Sequence, residues 1–79
     1  MNNYYKIDIT WDNEANVWWA TSNTNDFGLT LEDESLEKLM KRVKIAVPDL
    51  LEVANKFFDN IILNYNISHE ELVTIDGRI

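Results

Sequence analysis

The first part of the chain alternates between polar and apolar residues. Within residues 4–11 every second side chain is apolar, which is the two-residue period of a strand with one buried face. Residues 12–16 are mostly polar and predict a turn, and residues 17–22 are rich in β-branched and aromatic side chains. Together these segments predict a β-hairpin. The apolar face of its first strand consists of Tyr5, Ile7, Ile9 and Trp11.

A polar loop over residues 23–26 leads into a third short strand at residues 27–31. Gly28 lies within this strand. Because an interior glycine weakens a strand, we expect it to mark a bulge or a close approach of the backbone.

The next segment has the three-to-four-residue spacing of an amphipathic helix. Acidic residues 32–34 precede it, and Asp33 or Ser35 can cap its first turn. The apolar stripe runs from Leu36 to Phe57 without losing its phase. Pro48 interrupts it, so we expect either a kink or two helices that meet there; the unbroken phase favours the kink.

Alternation returns at residues 61–67, which predict a fourth strand after the helix. Residues 72–75 predict either a short fifth strand or a tail that pairs with a partner chain. The whole chain, residues 1–79, is therefore expected to form a single α+β domain. Its predicted architecture is an antiparallel sheet of three or four strands in βββαβ order, with one long, Pro-kinked helix on one face.

Two adjacent tryptophans in the second strand must point to opposite faces of the sheet. One of Trp18 and Trp19 joins the core, and the other lies on the face that a single helix leaves uncovered. That ring either packs flat across its strand neighbours or forms a surface for association. The candidate interface residues are Tyr4, Trp18, Trp19 and Ile45, the last from the polar face of the helix.

The composition narrows the function classes. The chain has 14 acidic and 7 basic residues, a net charge of −7, which disfavours direct binding to nucleic acid or to anionic membranes. It lacks cysteine, a signal peptide and any apolar run of membrane-spanning length. We therefore expect a cytoplasmic protein that has no thiolate metal site and no cofactor.

Few side chains suggest catalysis. His69 is the only histidine, and its segment predicts a solvated turn rather than a metal site. Paired carboxylates can support metal-dependent hydrolysis, so a hydrolase that uses the hairpin carboxylates is one alternative. These carboxylates are Asp8, Asp12, Glu14 and Asp26. A second alternative is a sensor with a small molecule bound between a tryptophan and a partner subunit.

Residues 11–22 resemble the hairpin signature W-D-x-E-A-x-V-W-x-A-T-S of a family of short bacterial proteins of unknown function. The similarity continues through Gly28, residues 35–39 and residues 48–51, although Phe27 replaces the usual proline. That family looks related to the HicB-like antitoxin fold, a βββαβ domain that resembles a truncated ribonuclease H.

The resemblance implies a homodimer or higher homo-oligomer without nuclease activity of its own. HicB proteins bind a small RNA-cleaving toxin, so a small basic protein is the implied partner. Such proteins usually add a DNA-binding segment, for which a chain that ends at Ile79 leaves no room, so we do not expect transcriptional autoregulation. The leading hypothesis is a non-enzymatic, antitoxin-like interaction module.

Overall fold

The computed structural model describes residues 3–75 and residue 77. The chain forms one α+β unit in the predicted βββαβ order. Its elements are β1 (Asn3–Asp12), β2 (Val17–Asn23), β3 (Gly28–Asp33), α1 (Leu36–Val53) and β4 (Ile61–Ser68).

The four strands form one mixed sheet in the order β3-β2-β1-β4. β1 pairs antiparallel with β2, and β2 pairs antiparallel with β3, but β4 lies parallel to β1. The prediction of a wholly antiparallel sheet was therefore wrong for the last strand. The helix between β3 and β4 returns the chain to the end of the sheet where β1 starts, so β4 runs in the same direction as β1.

The strand registers place the predicted apolar faces together. Ile9 lies opposite Ala20 and beside Ile67, and Tyr5 lies beside Leu63, all on the face that α1 covers. The largest fully buried side chains come from β1 and from one stripe of the helix: Ile7, Ile9, Leu39, Val43 and Val47. One layer of sheet and one helix thus enclose the core, as the periodicities predicted.

Helix α1 begins at a capping side chain and runs unbroken through Pro48. The Ser35 hydroxyl accepts a hydrogen bond from the backbone N–H of Lys38 at 3.2 Å, which identifies Ser35 as the N-cap. Asp33, the alternative cap, instead accepts a hydrogen bond from the N–H of Ser35 at 2.9 Å.

The helix ends earlier than its apolar stripe predicted. Asn55 has a left-handed backbone (φ 61°), and the N–H of Lys56 donates to the Leu51 carbonyl at 2.8 Å. The N–H of Asn55 donates to the Glu52 carbonyl at 2.9 Å. This pair of bonds is a Schellman motif, which terminates a helix. Phe57 consequently lies beyond the helix and is 73% exposed, so its assignment to the buried stripe was wrong.

Gly28 occupies a regular position at the start of β3. It lies opposite Asn23, and no atom outside its immediate chain neighbours comes within 4 Å of the place where a Cβ would lie. The expected bulge or close approach is therefore absent at this residue.

Residues 69–75, the arm, follow β4 without regular secondary structure, so the predicted fifth strand is not formed there. The arm makes the molecule elongated: the radius of gyration is 16.2 Å, against about 12 Å for a compact domain of this length. Within the described ranges, no helix combines the length and the apolar character needed to cross a bilayer.

Candidate protein-interaction surface

The four residues predicted to form an interface lie in separate places. Trp18 pairs with Trp11 on the helix side of the sheet, and Trp19 pairs with Thr10 on the open face. Tyr4 is also on the open face but lies six residues away from Thr10 along β1, about 20 Å. Ile45 is 67% exposed on the outer side of α1. The fold therefore does not bring these four side chains into one surface.

Trp19 is half-buried, and its polar atom is satisfied within the chain. Its indole N–H donates to a carboxylate oxygen of Asp12 at 3.3 Å. The other carboxylate oxygen of Asp12 accepts backbone N–H bonds from Glu14 and Ala15. The bonds from Ala15, Trp19 and Glu14 hold the pKa of Asp12 below its usual value. Asp12 thus fixes both the hairpin turn and the Trp19 ring.

The middle of the open face is polar. Asp8 accepts a hydrogen bond from the side-chain amide of Asn66 at 3.3 Å and lies 3.9 Å from the ammonium group of Lys6. Lys6 and Asn64 are neighbours on the same face. This polar strip separates Trp19 at one end of the face from Tyr4 at the other.

Three of the four carboxylates that suggested hydrolysis, Asp8, Asp12 and Asp26, have separate hydrogen-bonding roles. Asp26 lies beyond the end of β2 that is remote from the hairpin turn, where it accepts a 2.6 Å hydrogen bond from the Tyr5 hydroxyl. Burial of Tyr5 and its hydrogen bond to Asp26 raise the pKa of Tyr5 to about 12. Among residues 3–75 and 77, no three acidic or histidine side chains converge as a metal-binding group.

A largely apolar exposed region lies along β4 on the helix side of the sheet, opposite the open face. A groove of about 400 Å³ separates β4 from α1, and a second hollow of about 310 Å³ continues from it at Pro48 and Ile61. Phe57 and Phe58, which follow the helix, line the second hollow and are 73% and 40% exposed. Leu63 and Tyr65 line the first groove and are only half-buried.

β4 also carries the unpaired edge of the sheet on this side. It is the last strand in the order β3-β2-β1-β4, so one side of its backbone pairs with β1 and the other faces outward. An eight-residue edge strand with apolar neighbours is a template for pairing with another chain. We call this edge together with the two hollows the β4 surface; its residues are Pro48, Phe57, Phe58 and residues 61–68.

Sequence reasoning did not identify the β4 surface. Its available signal was the Phe57-Phe58 pair two residues after Asn55, because asparagine readily adopts the left-handed conformation that ends a helix. The edge position of β4 has no comparable signal, since it depends on strand order.

The arm leaves β4 at the far end of this surface. His69 packs against two indole rings, with centroid distances of 5.4 Å to Trp18 and 6.1 Å to Trp11. Its imidazole Nε2 lies 2.8 Å from a carboxylate oxygen of Glu71. Beyond this anchor the apolar side chains of the arm are exposed, namely Leu72, Val73 and Ile75.

Comparison with known proteins gives a family and a related structure. The model of the family DUF1902, a domain of unknown function, matches residues 4–72. The crystal structure of the hypothetical protein TTHA1013 from the extremely thermophilic bacterium Thermus thermophilus is similar, with a TM-score of 0.62 and 27% sequence identity. The similarity covers 92% of this chain and 100% of that chain. No curated protein matches.

Proposed function

We propose, starting from the fact that this chain belongs to the DUF1902 family of unknown function, that the protein is a non-enzymatic protein-interaction module that acts as a homo-oligomer. The β4 surface is the region through which it associates. The observation that carries this proposal is the coincidence of an unpaired strand edge with exposed aromatic and aliphatic side chains on one side of the molecule.

The β4 surface is better suited to association than the open face of the sheet. Burying apolar area drives association, and backbone pairing along a strand edge supplies register and direction. The open face offers Tyr4 and Ile62 at one end and Trp19 at the other, separated by charged and amide side chains, whereas Phe57, Phe58 and Ile61 line one hollow of the β4 surface. A homo-oligomer joined at β4 also protects an edge that is otherwise prone to aggregation.

We further propose that the module is antitoxin-like, with a small basic protein as its partner; the hairpin signature and the βββαβ order support this. With a net charge of −7, the chain is suited electrostatically to a small basic protein partner. We place that partner outside the β4 surface, because the homo-oligomer occupies it.

Sedimentation equilibrium of the purified chain over a wide concentration range tests the oligomer. We expect a mass near twice the 9.3 kDa of one chain, or a higher multiple, at micromolar concentration. A mass of one chain at the highest concentration attainable refutes the proposal. Co-expression with the gene adjacent to its own tests the partner: recovery of a small basic protein supports it, and recovery of this chain alone refutes it.

A further inference from the structure

The arm carries apolar side chains that do not pack against its own domain. Leu72, Val73 and Ile75 are 95%, 72% and 84% exposed, although each could bury its side chain in a hydrophobic groove. Only the start of the arm is held, by His69 against Trp11 and Trp18. Three exposed aliphatic side chains in one short segment are a costly arrangement for an isolated chain.

The arm also starts far from the second hollow of its own chain. The hollow at Pro48 and Ile61 lies at the start of β4, whereas the arm leaves after Ser68, seven residues or about 23 Å further along the strand. The longest dimension of the molecule is 61 Å, although β1, its longest strand, spans about 33 Å. The arm accounts for this extension, and because it starts at the end of β4 remote from the hollow, a second molecule is favoured as the surface that receives it.

We propose that two copies of this chain exchange their arms, each arm covering the β4 surface of the other copy. This inference rests on the proposed homo-oligomer and specifies its geometry: the two β4 edges pair antiparallel about a twofold axis near Tyr65. The partner is a second copy because the exposed arm and the apolar surface that it would cover belong to the same chain, and a symmetric pair buries both in one closed contact.

Strand geometry fixes where each arm lies in this pair. Two residues that lie opposite each other in an antiparallel ladder point to the same face of the sheet. In β4 the odd-numbered side chains face the helix, so an odd-numbered residue must lie opposite an odd-numbered residue if both helices are to lie on one side of the joined sheet. With Tyr65 on the axis, Leu63 of one copy lies opposite Ile67 of the other. The same offset brings Leu72, seven residues from Tyr65, to Phe58 of the partner, and Val73, eight residues away, to Phe57.

This placement explains the surface on both sides of the contact. Because the arm is not a regular strand, Leu72 and Val73 are not held to opposite faces, and both can enter the hollow beside Phe57 and Phe58, whose exposed rings otherwise face solvent. His69 and its two indole neighbours fix the point from which each arm departs, so less chain entropy is lost when the arm docks.

Directed cross-linking tests the register, and the chain suits it because it has no cysteine. Asn60 and Glu70 are exposed and lie five residues on either side of Tyr65, so they meet only between copies. A copy carrying Asn60→Cys is mixed with a copy carrying Glu70→Cys and treated with a short bifunctional maleimide. We expect a covalent dimer from the mixture and none from either variant alone. A mixture of Thr30→Cys, on the other edge strand, with Glu70→Cys is the matched control and is expected to give none.

Loss of the arm's apolar side chains provides an independent test. The double variant Leu72→Asp/Val73→Asp is expected to raise the dimer dissociation constant at least tenfold while leaving its circular dichroism spectrum unchanged. Ile45→Asp, at another exposed apolar residue but on the outer side of α1, is expected to leave the dissociation constant unchanged.

The outcomes distinguish the arm exchange from the proposed homo-oligomer on which it rests. If the unmodified chain is a monomer, both fail. If it is a dimer but the Asn60→Cys and Glu70→Cys copies do not cross-link, or the double variant dimerises as the parent does, the arm exchange is wrong and the homo-oligomer stands. An intramolecular cross-link in a single chain that carries both substitutions, with no dimer product, also overturns the exchange.

Discussion

The Tyr5 hydroxyl donates a 2.6 Å hydrogen bond to a carboxylate oxygen of Asp26, and these residues are 21 positions apart in the chain. The bond ties the start of β1 to the loop between β2 and β3. The Tyr5 ring packs against Phe27 at 5.1 Å, and Lys56 lies 3.9 Å from Asp26 on the helix side. This end of the core is therefore closed by one buried phenol and one carboxylate.

Replacing Tyr5 by phenylalanine removes that bond and leaves the ring in place. We expect the free energy of unfolding to fall by about 1.5–3 kcal/mol, the usual contribution of a hydrogen bond to a charged group. Urea denaturation measures it. Tyr65→Phe is the matched control, because its hydroxyl reaches only the Met40 carbonyl at 3.4 Å, and its loss is expected to be smaller. Equal losses in the two variants contradict the assigned role of the Tyr5 bond.

The raised pKa of Tyr5 predicts the alkaline behaviour of the fold. The hydroxyl must stay protonated to donate to Asp26, and its pKa in the folded state is about 12 against 10.0 in the unfolded chain. The stabilisation is complete below pH 10 and is lost as the pH rises towards 12. Thermal unfolding of the parent and of Tyr5→Phe over this range measures the difference, which is expected to shrink as the pH rises. A difference in stability between the parent and Tyr5→Phe that stays constant over this pH range contradicts the stabilising role of the protonated Tyr5 hydroxyl.

Part of the stability that the fold loses at low pH depends on Asp12. The hydrogen bonds from Ala15, Trp19 and Glu14 hold the pKa of Asp12 in the folded chain below its ordinary value of 3.8. The ionised carboxylate therefore stabilises the fold fully above pH 3.8, and this stabilisation is lost as the pH falls through the pKa of the folded state. We expect Asp12→Ala to lower the melting temperature most at neutral pH and least in strong acid. A difference in melting temperature between the parent and Asp12→Ala that increases as the pH falls contradicts this role of Asp12. Asp49→Ala, on the exposed side of α1, serves as the control.

The two tryptophans are expected to differ in what they stabilise. Trp18 packs against the core and lies 5.2 Å from the Trp11 ring, so Trp18→Ser is expected to cost about 2–4 kcal/mol. Trp19→Ser removes a ring from the polar open face and is expected to cost less and to leave the oligomeric mass unchanged. Equilibrium unfolding and sedimentation measure both. If Trp19→Ser yields a monomer, the open face rather than the β4 surface is the interface.

Asn55 sets the end of the helix and therefore the position of Phe57 and Phe58. Alanine is strained at its left-handed φ of 61°, whereas glycine is not. We expect Asn55→Ala to lower the free energy of unfolding by about 1 kcal/mol and Asn55→Gly to match or exceed the parent. Urea denaturation of the two variants provides the comparison; a more stable alanine variant contradicts the Schellman assignment.

Hydrophobic periodicity was sufficient to predict the layers of this fold. The alternation in β1 and β4 and the stripe through Leu39, Val43 and Val47 predicted which side chains form the core. The direction of β4 could not be predicted in this way, because an alternating strand has the same pattern whether it runs parallel or antiparallel to its neighbour. The path of the crossover helix decides it.

The candidate surface was less predictable than the core. Adjacent tryptophans on opposite faces followed correctly from strand geometry, and the register then assigned Trp18 to the helix side. However, the packing of Trp19 depends on its hydrogen bond to Asp12, which the pattern does not specify. The β4 surface depends on strand order, which arises from three-dimensional pairing, and on the early helix end at Asn55, which follows from the local conformation of asparagine rather than from hydrophobic periodicity.

Amide hydrogen exchange on the two edge strands tests association through β4 most directly. β3 and β4 are both edges of the sheet, so in an isolated chain the outward amides of each exchange readily. We predict that raising the protein concentration slows exchange of alternate amides in residues 61–68 and leaves residues 28–33 unchanged. Exchange in β4 that is independent of concentration while the mass shows an oligomer, or protection that rises in β3 instead, would contradict the account.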